Sequence, residues 1–125
     1  MTPLEIHLHR IRLAVEQIST ATIEIYLEQL LLSSRANLRF RLGWPSGAVM
    51  EVSEALSLAG DSLEWLSYRY HFQSEAGTLR YDNAPHHPHL PTHPEHKHRN
   101  AEVIESWRPD LVDFLQEVRY FSTLW

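Results

Sequence analysis

Apolar residues recur at helical spacing near the start of the chain: Leu4, Leu8, Ile11, Val15 and Ile18 stand four, three, four and three residues apart. One apolar stripe of this kind predicts an amphipathic helix over residues 3–18. Thr2 is placed to cap it, with Pro3 at the first helical position and Glu5 as the third. His7 and His9 fall off the stripe and are expected on the solvent side. From Thr20 the period changes. Ile23, Ile25 and Leu27 alternate with Glu24, Tyr26 and Glu28, which favours a strand, while Glu28 to Leu32 would continue a helix equally well. Leu38, Phe40, Leu42 and Trp44 then alternate with Asn37, Arg39 and Arg41, a half-buried strand closed by Trp44-Pro45-Ser46-Gly47. The second arm of that hairpin runs from Ala48 to Leu56 with Met50, Val52 and Leu56 on one side, and Gly60-Asp61 marks the next turn.

A fourth strand is predicted from about Leu63 to Gln73. Leu66, Tyr68, Tyr70 and Phe72 share one parity; Ser67, Arg69, His71 and Gln73 share the other. Ser74-Glu75-Ala76-Gly77 turns the chain into Thr78 to Asp82. With Gln73 opposite Thr78, His71 faces Arg80 and Arg69 faces Asp82, while Phe72 pairs with Leu79 and Tyr70 with Tyr81. This register keeps apolar pairs on one face, and a one-residue slip would mix the faces. Trp44, Trp65, Tyr68, Tyr70 and Tyr81 accordingly read as core aromatics rather than a base-stacking platform. Residues 83–105 carry no period and are expected to form a long connection, functional or disordered. Leu111, Phe114, Leu115, Val118 and Phe121 form a closing helical stripe that should lie on the sheet. The order predicts an α+β domain spanning residues 1–125: a small antiparallel β-meander sheet flanked by an N-terminal and a C-terminal helix.

Composition narrows the chemistry. With 43% hydrophobic and 22% charged residues the chain is globular. Its formal charge of -5 denies it the overall basic footprint of a nucleic-acid binder, so any such contact has to come from a local patch. The absence of cysteine excludes disulfides, thiolate metal sites and a thiol nucleophile. No apolar run approaches the ~20 residues of a membrane span, and the first residues lack a cationic signal-peptide start. A soluble, cytoplasmic protein is expected, with no membrane partner. The oligomeric state stays open, a homo-oligomer included.

Candidate chemistry concentrates in one stretch. Six of the nine histidines and four of the seven prolines lie between residues 85 and 98. Each proline removes a backbone donor and biases its predecessor towards extended backbone, so a stiff, irregular loop is expected, neither helix nor inner strand. The polar face of the preceding hairpin points Arg69, His71, Arg80 and Asp82 towards this loop. Arg69 and Asp82 read either as an ordinary cross-strand ion pair, worth up to about 1 kcal/mol, or as part of a site. In the second case Asp82 fixes an imidazole tautomer and an arginine holds phosphate. His86 and His87 then suit phosphodiester chemistry: one imidazole takes a proton from the attacking hydroxyl, another donates to the leaving oxygen, and arginine stabilises the charge. A metal reading uses the same residues, with His86, His87, His89, His93, His96 and His98 offering imidazoles and Asp82 or Glu95 a carboxylate for Zn or Ni. The spacing matches no helical zinc signature.

Tyr68-Arg69-Tyr70-His71, Arg80-Tyr81-Asp82-Asn83-Ala84-Pro85-His86-His87 and His96-Lys97-His98 together resemble the TumE family, toxin halves of bacterial and archaeal toxin-antitoxin pairs. The likeness covers most of the chain in layout, and its specific motifs lie in the central third. It implies a small cytosolic toxin neutralised by a helix-turn-helix antitoxin protein. It also adds His96 and His98 to the acid-base candidates Asp82, His86 and His87, and Asn83 and Lys97 to the substrate-holding groups Arg69, His71 and Arg80. Glu95 stands where the family pattern carries a further histidine, which removes position 95 from the set. RNA cleavage, on free RNA or on the ribosome, follows from the residue types. The competing classes are a histidine-rich metal-binding domain and an interaction domain whose loop only docks the antitoxin.

Overall fold

Thr2 caps the first helix as its sequence predicts: its hydroxyl accepts the Glu5 N–H at 3.2 Å, and helix α1 runs Pro3–Glu16. Leu4, Leu8, Ile11 and Val15 bury the predicted stripe. A computed structural model describes all 125 residues. Seven strands follow, β1 Thr22–Leu31, β2 Arg35–Gly43, β3 Val49–Ala59, β4 Ser62–Ser74, β5 Gly77–Asp82, β6 His96–Arg99 and β7 Glu102–Glu105, and helix α2, Leu111–Ser122, closes the chain. The strands lie side by side in sequence order, every pair antiparallel, so the domain is an α+β meander. Asp110 caps α2 by accepting the Val112 N–H.

Both helices pack on one face of the sheet. Phe114 of α2 sits 5.6 Å from the Tyr70 ring and 5.9 Å from that of Tyr81, while the α1 stripe joins Phe40, Met50, Val52 and Leu56 in a single core. The five aromatics read as core residues all pack there. The register between β4 and β5 is the predicted one at all five pairs. The opposite face stays bare of helix and carries the polar parity: Arg39 and Arg41 on β2, Ser53 on β3, Arg69 and His71 on β4, Arg80 and Asp82 on β5.

Four expectations need correction. Within residues 20–32 the strand Thr22–Leu31 forms, with no helix, yet Tyr26 rather than Ile25 or Leu27 turns to the core, stacked on Phe40 at 5.8 Å. An irregularity between Ile23 and Ile25 reverses the parity there and leaves Leu27 55% exposed. A second irregularity, opposite Ala55 and Leu56, likewise turns Leu66 outward and lets Trp65 pack inward. His7 is buried rather than solvated, because Glu54 of β3 meets its Nε2–H at 2.7 Å across the helix-sheet interface. Finally, residues 83–105 are not structureless: β6 and β7 form from them, and β6 is an inner strand between β5 and β7. All four prolines of the stretch precede β6, so none breaks its ladder. Thr92 anchors the remaining loop, donating to the Glu95 carbonyl at 2.7 Å and accepting the Ser106 N–H at 3.0 Å.

Candidate functional site

Because side chains alternate along a strand, Arg80 and Asp82 leave β5 on the bare face, where their cross-strand partners on β6 are His98 and His96. Asp82 is nearly buried and its carboxylate is engaged on both oxygens. Oδ1 lies 3.0 Å from His96 Nε2 and accepts the Ala84 N–H at 3.0 Å, while Oδ2 lies 3.0 Å from Arg80 Nε. The Arg80 Nε–H is not aligned on that oxygen and has no hydrogen-bond partner. It is buried against Asp82 and closed to solvent, so any contact with a ligand has to come from the rest of the guanidinium, which lines the cleft.

The imidazoles divide by their partners. His96 is 2% exposed, with Nδ1 donating to the Pro94 carbonyl at 2.9 Å and Nε2 facing Asp82. Both ring nitrogens face oxygen atoms. His98 is the opposite case. Its Nε2 accepts from Arg80 Nη2 at 3.0 Å, and burial, then the Arg80 charge, hold its pKa below the ordinary value. His71 accepts from Arg69 Nη2 at 2.9 Å and is lowered by burial and then by Arg69. The His87 ring, brought over β6 by the loop, stands 4.8 Å from the His96 ring and 5.6 Å from that of His98. Its pKa is lowered by desolvation first and then by the neighbouring imidazoles. A buried ring set between two oxygens and two rings with lowered pKa thus meet within a single cluster.

These groups open onto a cleft of about 670 Å³, lined by Arg69, Arg80, Asp82, His86, His87 and His96 among others. Three candidates fall elsewhere or are already occupied. Lys97 leaves β6 on the helix face, where it donates to Glu117 at 2.6 Å and covers the Tyr81 ring. Asn83 lines the cleft, but its amide ties the loop to β4: Oδ1 accepts the Tyr68 N–H at 3.2 Å and Nδ2 donates to the Leu66 carbonyl. The Arg69–Asp82 ion pair does not form, since Arg69 turns to His71 and Glu51. Ser53 and Ser67 line the cleft without having been singled out; extending the β4 parity across β3 would have found both.

For a metal, the nitrogens of His87, His96 and His98 lie within 4.8 Å of one another. Zinc bonds of about 2.0–2.1 Å in tetrahedral geometry imply nitrogens about 3.3 Å apart. The rings would have to draw together, and His96 would have to release Asp82 or Pro94. His89 touches this trio only through His87, and His93 is exposed.

No curated protein and no solved structure matches the chain. The model of the family described as toxin TumE matches residues 8–121. That span takes in the larger part of α1, the whole sheet, the histidine cleft and nearly all of α2, and so the chain belongs to the toxin TumE family.

Proposed function

We propose that this protein is the toxin of a toxin-antitoxin pair and that it cleaves RNA by histidine acid-base chemistry. The observation that carries this reading is the pairing of a buried His96, whose Nδ1 bonds the Pro94 carbonyl and whose Nε2 lies 3.0 Å from Asp82, with a His87 ring biased towards its neutral form in the same cleft. Neutral His87 takes the proton of a ribose 2′-hydroxyl. The freed oxygen bonds to the adjacent phosphorus, the bond from phosphorus to the leaving ribose oxygen breaks, and His86 at the rim returns a proton to that oxygen. The Arg80 guanidinium, which lines the cleft, meets the charge that develops on phosphate. Asp82 and His96 position this machinery without touching the substrate.

No helix is long and apolar enough to cross a membrane, and we place the protein in the cytoplasm. A toxin family implies an antitoxin partner; a helix-turn-helix protein covering the cleft fits the reading. The charge of -5 opposes unaided capture of free RNA, so a large target such as the ribosome suits it better. A second reading, a divalent metal held by His87, His96 and His98, draws on the closeness of the three rings.

Expressed without antitoxin, the wild-type chain should arrest growth, whereas Asp82→Asn and His86→Ala should relieve the arrest with circular dichroism unchanged. Full toxicity in both variants contradicts the assignment. Full toxicity combined with loss of antitoxin binding makes the loop a docking element instead.

A further inference from the structure

The bare sheet face continues beyond the histidines. Its cross-strand register sets Leu27, Arg39, Ser53, Arg69, Asp82 and His96 in one row from β1 to β6. At a strand spacing of about 4.8 Å, Arg39 stands roughly 14 Å from Asp82 along that row. Between them the floor is low, because Ser53, Ala55 and Ser67 carry small side chains. A second groove of about 340 Å³ lies there, with Leu27, Asn37 and Arg39 among its lining residues. It shares Ser53 and Ser67 with the histidine cleft, so the two adjoin along the sheet face.

The arginines of this face differ in their engagement. Arg41 is held by Glu24 and Glu51, and Arg69 lies 3.9 Å from Glu51. Arg39 is exposed and enters no ion pair or side-chain hydrogen bond. An unneutralised guanidinium lining a groove that adjoins the cleft of Arg80 complements a polyanion. Leu27, exposed at the far end, offers apolar surface to the face of a base. A shallow, open sheet face of this shape suits a single strand with splayed bases rather than a duplex.

We infer that this groove binds the phosphate backbone of single-stranded RNA on its way into the cleft, with Arg39 as a phosphate-binding residue remote from the reacting atoms. The inference rests on the RNA reading above and adds the path of the substrate. It is tested with the full-length His87→Ala protein, which should leave the strand intact, by fluorescence anisotropy of a labelled single-stranded oligoribonucleotide across a range of salt. Adding Arg39→Ala should weaken binding about 3- to 10-fold and make the logarithmic salt slope shallower by about 0.7, the value of one phosphate contact on a single strand. Adding Ala55→Glu, which sets a negative charge on the groove floor, should weaken it further. Melting temperatures should not change.

Equal affinity and slope with and without Arg39→Ala overturn the inference, as does the absence of RNA binding. An Arg39→Ala chain that binds RNA normally but loses self-association or antitoxin binding also overturns it and assigns the groove to a protein. The two readings separate cleanly. Arg39-dependent binding without cleavage by the wild-type protein removes the catalytic reading and keeps the groove, whereas cleavage with an unchanged KM in Arg39→Ala removes the groove and keeps the chemistry.

Discussion

Glu54→Ala is expected to lower the free energy of unfolding by about 3–5 kcal/mol, the cost of removing one partner from a buried charged network. Glu54 is almost fully buried on the helix face of β3 and accepts from three donors, the His7 Nε2–H at 2.7 Å, the Trp65 Nε1–H at 2.6 Å and the Tyr70 hydroxyl. Alanine would leave all three donors unpaired in the core. Burial first, and then the negative charge of Glu54, push the Tyr70 phenol up, and Arg108 stacks 3.5 Å over the Trp65 ring beside it. A loss of this size is a large part of the roughly 5–15 kcal/mol that holds an ordinary domain together. Urea titration measures it; a loss below about 1 kcal/mol would mean that the network contributes nothing beyond volume. Glu54→Gln, which keeps shape and one acceptor oxygen, should fall between the two.

The largest expected effect on activity is at His87. His87→Ala should reduce RNA cleavage by about 10²- to 10⁴-fold, the range for losing a positioned general base, and leave the fold intact because the ring sits in a surface loop. The pH dependence separates this role from a structural one. A base must be unprotonated to act, and the His87 pKa lies below the ordinary 6.5 through desolvation and its neighbouring imidazoles. The wild-type rate should therefore persist as pH falls past 6.5 and decline only below it. An acid limb, with rate rising as pH rises, centred at or above 6.5 would assign the base to another group; a fall on the alkaline side belongs to the general acid.

Much of the fold was legible because apolar parity is strong where one face is buried. From β2 to β5 the alternation of aromatic and charged residues predicted both the strands and the β4–β5 pairing. β6 escaped because it has no apolar residue: Lys97 takes an inward-facing position, its charge met by Glu117 and its stem lying over Tyr81. A strand made of His-Lys-His-Arg shows no hydrophobic period. His7 was misjudged for a related reason, since its partner Glu54 lies 47 residues away. The signal was present on β3, where Glu54 shares the parity of the buried Met50 and Val52, and a carboxylate on an apolar stripe calls for a buried partner. The grouping of Asp82, His87, His96 and His98 depends on the β5–β6 ladder, which the missed strand concealed. The two parity reversals, at Ile23 to Ile25 and at Ala55 to Leu56, come from strand irregularities that alternation alone does not reveal.

The most direct test incubates purified, untagged protein with total cellular RNA and ribosomes, with and without EDTA, beside the His87→Ala variant. Acid-base catalysis by the histidine cluster predicts cleavage that survives chelation and disappears in the variant. Cleavage abolished by EDTA, or no cleavage under any condition, would contradict it.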